Sequence, residues 1–170
     1  MHSSHLGASL LLACLLTASC GSSDPLALVT EGNSKLGAGD YKSALSNFED
    51  AQKALDGKRA DPLYQSAKLG AIEARSHVDA KAAKTEFLDY AKAPGVTLKE
   101  NDYVDIASKL AGADAVLEAL EVIQAGKAAV AGSAKLAKLE ETVLLRAKER
   151  AMGDSKFKSG LEGLGYLGGG

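Results

Sequence analysis

The sequence contains no tryptophan, and only three phenylalanines, three prolines and three histidines in 170 residues. With Ala, Leu and Lys recurring throughout, this scarcity argues for helices, because Ala and Leu lose little freedom on entering one. The two cysteines, Cys14 and Cys20, both lie near the start of the chain, so no disulfide framework can brace the remaining 150 residues. Packing alone must hold the fold. Neither sign of charge dominates: 20 Lys and Arg are interleaved with 22 Asp and Glu, for a formal charge of −2. Without a long basic stripe to neutralise a phosphate backbone, a nucleic-acid partner is not expected.

Catalytic and metal-binding chemistry is equally short of residues. A zinc or other transition-metal site needs several Cys or His ligands at close spacing, and beyond the first twenty residues His77 is the sole candidate. Neither a metal nor a cofactor is expected. His77 would also be the only base for a Ser-His-Asp arrangement, and its position at a helix end fits a solvated role better. The acidic pairs Glu49-Asp50, Glu118 with Glu121, and Glu140-Glu141 have basic neighbours or lie on polar faces, as surface carboxylates do. Gly37-Ala38-Gly39 lacks a lysine in phosphate-loop register and reads as a turn. The chain is therefore read as a binding protein and not an enzyme.

What is present begins with an uncharged run, Leu6 to Ser19, followed by Cys20-Gly21-Ser22-Ser23-Asp24. Such a run rises about 21 Å as a helix, short of the roughly 30 Å hydrocarbon core, so it suits an export signal better than a permanent span. Thr17-Ala18-Ser19-Cys20 resembles the lipobox of bacterial lipoproteins at its two small positions and at the cysteine, with Thr where that family usually has Leu. The resemblance implies cleavage after Ser19 and acylation of Cys20, with residues 1–19 as signal peptide and 20–24 as tether. Lipid chains supply about 0.8 kcal/mol per buried methylene, so two or three hold a domain on a membrane. By the same resemblance, Gly21 in place of the family's inner-membrane retention Asp implies the outer membrane, facing the periplasm. A plain secretory leader and an uncleaved anchor are the competing readings, and Leu11-Leu12-Ala13-Cys14 is a second, less favourable box.

From Pro25 onward the 3.6-residue period and the breakers predict seven helices and no strand. The first runs from Pro25 to Leu36, after an Asp24 cap. A second begins at Asp40 and closes at Gly57, with Tyr41, Ala44, Leu45, Phe48, Ala51 and Leu55 at amphipathic spacing. Asp61-Pro62 opens a third, ending near His77, and the fourth covers Asp79 to Ala93. Thr97 with Glu100 reads as a capping box for the fifth. The sixth is expected to stop at Gly126, and the last to run from Ser133 to Met152. The folded domain is thus placed at residues 25–152, with 153–170 a Gly-rich flexible tail whose Leu161, Leu164, Tyr166 and Leu167 have the default option of docking on the last helix.

Self-comparison shows three helix pairs, with small anchors Gly32, Gly70 and Ala107 at a period a little above that of a tetratricopeptide repeat. Gly39-Asp40-Tyr41-Lys42-Ser43-Ala44 with Phe48 and Ala51 resembles the second half of such a repeat; Ala83 with Phe87, and Ala119 with Ile123, recur in the next two. Gly or Ala lets two helices approach while a Phe or Ile from the neighbour fills the remaining gap. The resemblance covers residues 25–131 and implies an all-α solenoid of antiparallel helix-turn-helix repeats, about three pairs, closed by the helix from Ser133 as a cap. An irregular helical bundle is the alternative.

By the same resemblance, the first helix of each pair forms a concave face, which places Asn33, Leu36, Tyr64, Ala71, Ala74, Asn101, Val104 and Ser108 against a partner. Tyr64 is the foremost anchor, since aromatic side chains dominate interface energies. The expected function is a membrane-tethered scaffold in the bacterial envelope that binds a peptide or envelope protein in this groove. A purely structural or self-associating lipoprotein without a groove is the second reading.

Overall fold

A computed structural model describes residues 24–56 and 58–168. The leader, Cys14, Cys20 and the expected stop at Gly57 lie outside them. The described residues form eight helices and no strand: α1 (Pro25–Gly37), α2 (Tyr41–Ala54), α3 (Pro62–Ser76), α4 (Ala80–Ala91), α5 (Glu100–Gly112), α6 (Val116–Ala129), α7 (Ala134–Ala151) and α8 (Ser155–Gly163).

Short polar side chains set the starts. Asp24, Asp40, Asp61, Asp79, Ser133 and Asp154 each accept a hydrogen bond from a backbone N–H of the first turn, satisfying a donor that has no partner inside the helix. Pro25 and Pro62 follow two of these caps, where a missing N–H costs nothing. The fifth helix starts later than its expected box. Its cap is Lys99, whose N–H donates to the Asp102 carboxylate at 2.7 Å, and Thr97 lies outside the helix. Nor does Gly126 stop α6. It is buried mid-helix, and a Cβ there would lie 2.9 Å from Tyr103 Cβ, so the glycine permits a close crossing and the helix runs on to Ala129.

Three-residue turns reverse the chain within each pair. In the first, Gly39 adopts φ 78°; in the third, Asp114 takes the same left-handed role at φ 62°. Its carboxylate is held there by Arg150 at 2.8 Å, with Arg146 at 3.8 Å. The first helices of successive pairs pack on one another throughout, α1 on α3, α3 on α5 and α5 on α7. At the outer junctions the second helix of one pair also packs on the first of the next, α2 on α3 and α6 on α7. In the middle α4 packs on α6 instead, and it meets α5 through side chains, with the Phe87 and Tyr103 rings edge to face at 5.3 Å.

The core divides accordingly. Val29, Ala44, Phe48 and Ala51 join Ala67, Ala71 and Ala74 in a small cluster, while Ile72 on the other side of α3 belongs to a larger one running through α4 to α8. Phe48 is the centre of the small cluster: a Cβ on Gly32 or on Gly70 would come within 2.7 Å or 2.6 Å of its ring, so both helices close on one phenylalanine only because they carry hydrogen there. All ten positions expected from the repeat to pack, Gly32, Ala44, Phe48, Ala51, Gly70, Ala83, Phe87, Ala107, Ala119 and Ile123, are buried.

The C-terminal segment departs from expectation. Residues 155–163 are helical, not a flexible tail, and α7 with α8 forms a fourth, shortened pair across the turn Met152-Gly153-Asp154. Phe157 and Leu161 are buried in the large cluster, and Gly160 lets α8 approach Leu117 of α6. Glycine frequency misled because Gly160 is a contact residue and Asp154 caps the helix.

Beyond α8, the Gln124 side chain donates to the Leu164 carbonyl at 3.0 Å and the Tyr166 hydroxyl donates to Glu140 at 2.6 Å. Burial pushes the Glu140 carboxyl up, yet hydrogen bonds from Lys127 and Tyr166 outweigh it and hold the pKa below its ordinary 4.5. Burial, then the hydrogen bond to Glu140, raises the Tyr166 phenol. A carboxyl whose folded pKa is depressed stabilises above its unfolded value and loses that contribution as pH falls through the folded one. Unfolding midpoints measured between pH 6 and 3 are therefore expected to fall below about pH 4.5, less steeply in Tyr166→Phe. An equal acid slope in both chains would refute the assignment.

Candidate protein-interaction groove

Because α4 leans on α6, one side of α3 and α4 is left open, and a groove of about 710 Å³ runs along it. Tyr64, Lys68 and Arg75 recur on one stripe of α3, facing Ala82, Thr85, Glu86, Asp89 and Tyr90 of α4. Arg59, on the α2–α3 connection, closes the end next to Tyr64. The helix pair brings the start of α3 beside the end of α4, so Tyr64 and Tyr90 share that end.

The groove floor is charged but internally compensated. Glu86 takes Lys68 at 2.6 Å and Arg75 at 2.7 Å, and Arg75 reaches on to Glu49 of α2 at 2.6 Å. These groups are partly shielded from water, so the chain fixes three helices in register more firmly than a fully exposed pair would. The Lys68 ammonium stands 5.9 Å from the centre of the Tyr90 ring, within cation–π range. Tyr90 is nearly inaccessible, and its phenol is raised chiefly by burial. Tyr64 keeps a partly exposed ring beside it. An apolar-aromatic end, a fixed polar floor and an open mouth can seat a segment of another chain.

The eight positions expected on one concave face are dispersed. Of these, Tyr64 alone lines the groove. Ala71 and Ala74 have no accessible surface and are core residues of the small cluster that α1, α2 and α3 share, so they cannot meet a partner. Leu36 is half-buried against the small cluster and Val104 against the large one. Asn101 accepts a hydrogen bond from Lys135 of α7 at 2.8 Å. Asn33 and Ser108 are exposed but stand outside the groove. Arg59, Lys68, Arg75, Glu86 and Tyr90 were not legible as site residues, since each looks like an ordinary polar-face or core position until α3 and α4 are paired.

The other polar candidates have structural partners. His77 is exposed and stacked on Tyr41 at 3.9 Å. Lys109 pairs with Glu73, and Lys84 with Glu121 at 2.7 Å, across helix pairs. No group of three or more His, Cys, Asp or Glu that could hold a metal is found among the described residues. No described helix is long and apolar enough to cross a membrane. No known protein family, curated protein or solved structure matches the chain.

Proposed function

We propose that the chain is a tethered scaffold of the bacterial cell envelope, exported by its leader, acylated at Cys20 and binding a peptide or protein segment in the α3–α4 groove. The observation that carries the binding reading is the open groove with Tyr64 at its mouth, backed by the buried Tyr90. The small-large-small packing of Gly32, Phe48 and Gly70 supports reading the pairs as tetratricopeptide-like units, in a variant that presents its groove on the side away from the usual concave face. Thr17-Ala18-Ser19-Cys20 supports the anchor.

Two measurements test the reading. The intact mass of the native protein is expected to equal residues 20–170 plus acyl groups; an unmodified chain starting at Met1 would reject the anchor. A photocrosslinking side chain at position 64 is expected to capture a stoichiometric envelope protein, and Tyr64→Ala to weaken that complex by at least about tenfold, the range of an aromatic anchor. Substituting Ser108, outside the groove, should change affinity little. Equal effects at both positions would remove the groove from the proposal.

A further inference from the structure

The outer side of α7 is not finished as a cap. Leu145 and Met152 are 62% and 84% exposed, and they line a shallow groove of about 620 Å³ with Lys148, Glu149, Ala151, Lys158 and Leu167. Leu145, Lys148 and Glu149 are spaced i, i+3, i+4, and Met152, the C-cap of α7 with helical backbone angles, continues them at i+7, so the four form one stripe. Lys148 and Glu149 make no ion pair among the described residues, while Arg146 and Arg150 on the same helix are paired with Asp114.

We infer that this stripe is an interface with a second copy of the chain. Consider two α7 helices running antiparallel about a two-fold axis that passes between Lys148 and Glu149. Leu145 of each then lies opposite Met152 of the other, and Lys148 of each opposite Glu149 of the other. Both apolar contacts and both charge contacts occur twice. An isologous contact requires this self-complementarity, which a stripe chosen for a different partner has no reason to carry. Shifting the axis onto Leu145 would bring Glu141 and Glu149 of the two copies together and Lys138 against Met152, so the charges select one register. The stripe spans only about 10 Å of helix, too short to bury the roughly 800 Å² per partner of a stable complex. The contact is weak and reversible in dilute solution, and strengthens wherever copies are held at high local concentration.

Disulfide trapping of the full chain in its envelope tests this, with Cys14→Ser throughout and a chain without added cysteine as blank. Co-expressed Leu145→Cys and Met152→Cys chains are expected to crosslink about threefold or more above either alone. In that background Lys148→Glu or Glu149→Lys alone should lower the crosslinked fraction by about threefold to tenfold, and the two together should restore it. These side chains are exposed, so thermal midpoints should stay unchanged and exclude unfolding as the cause. Mixed chains that link no better than single ones, or a double reversal that stays as low as its parents, would overturn the inference.

Discussion

Phe48→Ala is expected to cost about 3–5 kcal/mol, the range for a buried phenylalanine whose site cannot collapse. The neighbours cannot refill the space, because Gly32 and Gly70 have no side chains to move and the surrounding small cluster is largely alanine. Urea unfolding of the wild type and variant reads the loss directly. Gly70→Ala should also destabilise, since its new methyl would stand 2.6 Å from the ring. Combined with Phe48→Leu, it should cost less than the sum of the two single changes, because the smaller side chain admits the methyl. Strict additivity would show that the glycine and the phenylalanine do not share one contact.

Leu161→Ala is expected to cost about 2–5 kcal/mol, whereas Met152→Ala, a few residues earlier, should stay within about 0.5 kcal/mol. Leu161 is fully buried in the large cluster and Met152 is the most exposed large apolar side chain described. The contrast distinguishes a docked fourth helix pair from a loose tail. Circular dichroism melts of both variants would show it, and equal midpoints would mean that α8 contributes nothing.

Much of the helix plan could be read locally. Asp-Pro starts, amphipathic spacing and the Gly39 turn depend on neighbours within one or two helical turns, and α1 to α4 keep nearly the expected bounds. Apart from the cap of α5, the sequence misleads where glycine has two uses. Gly126 and Gly160 are close-contact positions inside helices, but in sequence they look like stops. The repeat pattern identified packing positions well because small and large residues at fixed spacing report on one helix crossing. It located the interaction surface poorly. Ala71 and Ala74 share a helix with Tyr64, and only the rotation of α3 between its neighbours decides which of them meets water.

The sequence by itself determined that the chain is helical, where most helices begin, and which residues are small enough to be crossed, since these follow from capping, periodicity and side-chain volume. It also carries the features that suggest export and acylation at Cys20, which are linear by nature. The tertiary structure decided that α4 rests on α6 and thereby opens a groove beside α3, that the C-terminal residues close the stack as α8, and that one stripe of α7 is left unpaired. Each depends on the angle at which one helix meets another. That angle is a sum over many contacts between distant residues, and no local pattern records it.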